Sequence, residues 1–181
     1  MTKRQVLFIH GGGEAFEGDE ALVLSLREAL GPDFEVEYPE MPDGAAPAYG
    51  TWSARISREL SALNGETILV GHSLGASILL KYISEEPTAE GIVGLFLIAT
   101  PYWGTVDWEV AEFELREDFP AALPEEVPIF LYHSRDDEVV PFAHLALYAG
   151  RLPRARAREF EDRGHQLGDD LSEVAEDIGK L

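Results

Sequence analysis

Thr67-Ile68-Leu69-Val70-Gly71-His72-Ser73-Leu74-Gly75 reads as a strand, a sharp turn and the start of a helix in one run. Thr67 to Val70 is rich in β-branched residues, with no polar residue in Ile68-Leu69-Val70 to mark a solvent face, as in strands buried on both sides. Gly71 to Gly75 fits the pattern G-x-S-x-G, and Leu74 to Ser84 follows with helical character. In that setting the pattern has a mechanical meaning. Two glycines let the chain turn without side-chain clash, and the serine sits on a strained turn with its hydroxyl exposed above the sheet. The helix N-terminus behind it favours negative charge developing nearby.

Outward from this point, short β-rich runs alternate with helical segments. Upstream lie a strand at Gln5 to Ile9, a glycine-rich loop, and a helix with Asp19 as N-cap. Its Leu22, Val23, Leu26 and Leu30 share a face, and Gly31-Pro32 ends it. A second strand covers Phe34 to Tyr38. Pro39 to Gly50, with three prolines and two glycines, reads as a loop. Thr51 caps a helix in which Trp52, Ile56, Leu60 and Leu63 recur at helical spacing. Downstream, strands are expected at Ile92 to Ile98, Ile129 to Tyr132 and, weakly, Ala155 to Phe160, where Arg and Glu interrupt the run. A helix starts at Pro141, and a last one runs from Leu167 to Ile178 with Leu167, Leu171, Val174 and Ile178 on one face. Such alternation predicts an α/β fold, a parallel sheet covered on both faces.

A serine nucleophile needs a base, and the base an orienting carboxylate. Two loops after later strands offer them: Ser134-Arg135-Asp136-Asp137-Glu138-Val139-Val140-Pro141, and Gly164-His165-Gln166. Like Ser73, both lie at the C-terminal ends of strands, which share one edge of a parallel sheet. His165 is the candidate base. Asp136 and Asp137 are adjacent, so at most one faces it; the x-x-Val-Pro that follows favours Asp137. Among the other histidines, His10 should shape the glycine loop and His72 should point away from the serine. His133 comes too early for the base, and His144 reads as a helix-surface residue.

His10-Gly11-Gly12-Gly13 is not a dinucleotide fingerprint, because Phe16 stands where the last glycine belongs, and it lacks the G-K-[ST] of a P-loop. It suits an oxyanion loop, with a backbone N–H of Gly12, or alternatively Gly11, as one donor and that of Leu74 as the other. Trp52, Tyr102, Trp103, Trp108 and Phe113 are aromatics that could line an acyl pocket. Tyr102 and Trp103, after Ala99-Thr100-Pro101, and His10 are the pocket candidates. The acids from Asp107 to Asp118 read as a solvated face.

The chain has 181 residues, 45% of them apolar, enough for one domain with a buried core. Lys and Arg total 14 against 34 Asp and Glu, a formal charge of −20. So acidic a surface disfavours nucleic acid and anionic membranes. With no cysteine, disulfides, thiol catalysis and Cys-ligated zinc are excluded. No cofactor or metal is implied. The apolar run Val6 to Ile9 is too short for a signal peptide or a membrane span, so a soluble, cytoplasmic protein is expected.

Together, the early glycine loop, Trp52, Gly-His-Ser-Leu-Gly, Asp-Asp-x-x-Val-Pro and Gly-His resemble the α/β-hydrolases, and more closely the small serine hydrolases related to retinoblastoma-binding protein 9. The resemblance spans nearly the whole chain. It implies a minimal three-layer α/β/α sandwich over residues 1–181, six parallel strands in the order 2-1-3-4-5-6, and only a small lid or flap at 101–128. It also implies a triad of Ser73, Asp137 and His165. The function expected is hydrolysis of a carboxylic ester or related acyl bond in a small molecule. The alternative is a hydrolase fold kept as a protein-binding module, although no sequence feature indicates a protein partner.

Overall fold

The computed structural model describes residues 3–13, 15–86 and 91–181. In chain order the elements are β1 (Arg4–Ile9), α1 (Ala15–Gly18), α2 (Glu20–Leu30), β2 (Phe34–Glu37), α3 (Tyr49–Ala62), β3 (Thr67–His72) and α4 (Leu74–Glu85). Then follow β4 (Ile92–Ile98), α5 (Phe119–Ala122), β5 (Ile129–Ser134), α6 (Ala143–Arg151), β6 (Arg156–Phe160) and α7 (Ser172–Ile178). The six strands are all parallel, in the order β2-β1-β3-β4-β5-β6.

Strand periodicity builds the layers. Successive side chains of β1 point to opposite faces. Leu7 and Ile9 join Trp52, Ile56, Leu79 and Leu145 beneath α3, α4 and α6. Val6 and Phe8 join Leu22, Leu26, Val174 and Ile178 beneath α2 and α7. Helix α4 is buried from Leu74 to Ser84, all the way round, because the chain covers its outer side as well. The register keeps the C-terminal strand ends level: Ile9 pairs Gly71, His72 pairs Ile98, Ile98 pairs Tyr132 and Ser134 pairs Phe160. Residues just beyond these ends therefore meet along one edge. The order reverses beside β1, where ligands settle in open α/β sheets.

Three expectations change. Asp19 is no side-chain cap: its own backbone is helical, and its carboxylate is fully buried under the glycine loop. Helix α3 begins at Tyr49, so Thr51 lies in its first turn and donates to the Ala48 carbonyl. The face of Leu167, Leu171, Val174 and Ile178 is buried as expected, yet the helix starts only at Ser172. Leu167, Gly168 and Asp169 instead take left-handed backbone, with φ of 47°, 64° and 55°, which no right-handed helix accommodates. The segment 101–128 packs down at several points: the Trp103 indole donates to Ser77 Oγ, Lys81 to the Glu114 carbonyl, and the Tyr49 amide to Glu112.

Candidate active site

The turn after β3 puts its strain on the serine itself. Ser73 has φ 53° and ψ −123°, a conformation that costs about 1–3 kcal/mol for a residue with a Cβ. The flanking glycines answer to crowding rather than to their own backbone angles. A Cβ on Gly71 would lie 2.6 Å from Ala76 Cα, and one on Gly75 would collide with the carbonyl oxygens of Ile9 and His10. The elbow thus lies directly against β1, with Ser73 half-buried at the start of α4.

The loops after β5 and β6 bring the next two residues together. His165 Nδ1 lies 2.9 and 3.0 Å from the two carboxylate oxygens of Asp137, whose side chain is fully buried. Nδ1 therefore carries the proton, and Nε2 is left to accept one. The Asp137 carboxylate also accepts from the Val139 and Val140 amides, and His133 Nε2 lies 3.1 Å away. Burial opposes its ionisation, but the hydrogen bonds from His133 and His165 outweigh that and hold the carboxyl well below the usual range. Asp136 turns elsewhere: it accepts from Ser134 Oγ and from the Gly164 amide, pinning the histidine loop. Among the described residues no hydrogen bond joins Ser73 to His165; such bonds commonly tighten only when substrate binds.

The glycine loop is sorted by its hydrogen bonds. The Gly11 amide donates to Asp19 Oδ2 at 3.0 Å, which removes it as an oxyanion donor. The Gly13 amide donates to the Gly44 carbonyl. The amides of Gly12 and Leu74 have no acceptor among the described residues, and a Cβ on Gly12 would lie 3.0 Å from the Leu74 side chain.

His10 is part of the frame of this loop, and it also lines a cavity with Phe16, Met41 and Gly44. It is 1% exposed, donates through Nδ1 to the Gly11 carbonyl and accepts through Nε2 from the Met41 amide. Burial lowers its pKa, in keeping with a neutral ring. Trp52 is likewise core, with its indole donating to the Pro42 carbonyl. Trp103 is bonded one turn along α4 from Ser73 and packs on Trp108 and Phe113. Tyr102 stands on Tyr148, and its amide donates to His144 Nδ1. His144 is therefore buried, not on the helix surface, because it receives this amide. Burial holds its ring below the ordinary value.

Three groups here escape the motif search: His72, His133 and Asp19. The first two carried a signal in their position, since each sits at the C-terminal end of a strand, level with His165. Asp19 carried none, because a capping residue and a buried strut look alike in sequence.

A family model described as serine hydrolase matches residues 25–170. A search of curated proteins by sequence finds no match. Among solved structures, the ydeN gene product of B. subtilis is 21% identical, with 98% of each chain covered and a TM-score of 0.80. Est1E from Butyrivibrio proteoclasticus, solved with ferulic acid bound, is 13% identical over 99% of this chain and 88% of its own, with a TM-score of 0.73. The esterase domain of a Rhodothermus marinus protein is 19% identical over 99% and 87%, with a TM-score of 0.70. At these identities the structural likenesses speak to the fold.

Proposed function

The chain belongs to the serine hydrolase family, and from that premise we propose that Ser73, His165 and Asp137 cleave a carboxylic ester or related acyl bond through an acyl-enzyme. The observation that carries this reading is the buried Asp137–His165 pair, delivered to the sheet edge where Ser73 sits on its strained turn.

The steps follow from the proton inventory. As Ser73 Oγ bonds to the substrate carbonyl carbon, its proton passes to His165 Nε2, and Asp137 stabilises the imidazolium. The carbonyl oxygen takes the electron pair and is held by the amides of Gly12 and Leu74. Collapse breaks the bond to the leaving alkoxide, which takes the proton from His165. Water then gives a proton to His165 as it attacks the acyl carbon, and the acid leaves with Ser73 restored. Trp103, bonded to Ser77 in the first turn of α4, and Tyr102, packed on Tyr148, supply apolar surface for a small acyl group. Small carboxylic esters are the substrate class we propose for this edge, beside which the segments 39–50 and 101–128 pack.

Hydrolysis of short p-nitrophenyl esters tests this. His165→Ala should reduce kcat by a factor of at least about 10³, and Asp137→Asn by a comparable factor through loss of the correct tautomer. Near-parent rates in His165→Ala would remove it as the base.

A further inference from the structure

Beside the proposed triad lies a second buried acid–histidine pair. His72, the residue before the serine, is 1% exposed, and Asp19 is fully buried. His72 Nδ1 lies 2.9 Å from Asp19 Oδ2, and His72 Nε2 lies 2.9 Å from the backbone carbonyl oxygen of His165. With Asp19 ionised, both neighbours are acceptors only. A neutral imidazole has one N–H and one lone pair, so either neutral tautomer would aim a lone pair at an oxygen in a buried site. Only the form with both nitrogens protonated satisfies the arrangement, and Asp19 neutralises its charge.

The same Asp19 oxygen accepts the Gly11 amide at 3.0 Å. One continuous path therefore runs from the glycine loop through Asp19 and His72 to the main chain of His165. The rings of His72 and His165 lie 4.8 Å apart. We propose that His72 is a positioning residue, a doubly donating imidazolium that clamps the glycine loop and the His165 loop to the serine turn. The proposal rests on the reading of Ser73 and His165 as nucleophile and base.

The titratable groups around His72 come from four places: Asp19 ahead of α2, Asp137 after β5, His165 after β6, and His10 at the end of β1. Burial opposes its charge, but the hydrogen bond and the attraction of Asp19 outweigh that and raise its pKa. On Asp19 burial again opposes ionisation, and the His72 bond again prevails. The clamp is therefore made while His72 is protonated and is released as pH rises through its raised pKa.

Two measurements on the full chain test this. The first is a long-range ¹H–¹⁵N spectrum of the histidine rings at pH 7.5, with His72 assigned by its absence in His72→Gln or, should that variant not fold, through its backbone. Both His72 nitrogens should be protonated, at a pH where a free histidine of pKa about 6.5 is neutral. A single neutral tautomer overturns the proposal whether or not the protein is an enzyme. The second is Asp19→Asn, which keeps the side-chain size and removes the counter-ion. Ester kcat should fall at least tenfold with KM within about twofold, and the alkaline limb of kcat should move to lower pH. A parent-like kcat and alkaline limb overturn the clamp. If the parent itself turns over no ester, the hydrolase reading fails, and the spectrum alone then decides the state of His72.

Discussion

Ser73 and its two glycines make the elbow a fit between three surfaces. The serine alone takes the unusual backbone, while Gly75 is glycine because β1 passes beneath it. Gly75→Ala should therefore fail at the level of folding. Overpacking costs typically about 1–3 kcal/mol and more where the contact is rigid backbone, so its urea midpoint should drop well below that of Gly150→Ala, a position in α6 with no atom near the added Cβ and ordinary helical backbone. Equal midpoints would show that the turn has room to relax. Asp137 makes a second prediction at this scale. Its carboxyl is held below the ordinary value, so the stability it contributes is complete above the unfolded pKa of about 3.9 and is lost as pH falls through the folded one. The advantage of the parent over Asp137→Asn, read by denaturation at a series of pH values, should be constant from pH 7 to about 5 and shrink below that. An advantage that grows with acid would mean that Asp137 is not ionised in the folded protein.

Among the elements, β6 explains why some of the chain reads faintly. Arg156, Arg158 and Glu159 interrupt its apolar pattern because it is an edge strand, where charge discourages pairing with other chains. Arg158 is also employed inward: it bonds Asp177, which accepts from the buried Tyr132 hydroxyl as well. Asp177→Ala would strand that hydroxyl, at a cost of about 1–3 kcal/mol, and should lower the urea midpoint accordingly. In a Tyr132→Phe background the same change should cost clearly less; an equal cost would place the effect elsewhere. The uninterrupted strands β1, β3 and β4 were legible because they are buried on both faces. The segment from Leu167 to Leu171 misleads for the opposite reason: its apolar spacing satisfies a helix face, while Gly168 and its neighbours turn the other way to bring the chain back from His165. Periodicity reports which side chains are buried, and here it did so without reporting the backbone that buries them.

For the molecule as a whole, the charge of −20 sets the solution behaviour more than the chemistry. Like charges across a small fold repel, and the screening length shrinks from about 30 Å at 0.01 M salt to about 8 Å at 0.15 M. The melting temperature should therefore rise by several degrees over that range; a fall would mean that the local ion pairs outweigh the net repulsion. Against this background the proposed chemistry depends on few groups, and they were unevenly legible. Ser73, Asp137 and His165 stand in motifs whose spacing reflects what each loop must do. The groups beside them, His72, His133 and Asp19, meet only through tertiary structure; the two histidines were marked by their places near strand ends, and Asp19 by nothing local. The central claim is that Ser73 is the nucleophile, and a fluorophosphonate probe followed by peptide mass mapping tests it most directly. The parent should gain one adduct, on the peptide carrying Ser73, and Ser73→Ala should gain none. An unlabelled parent, or an adduct that persists in Ser73→Ala, would contradict the account.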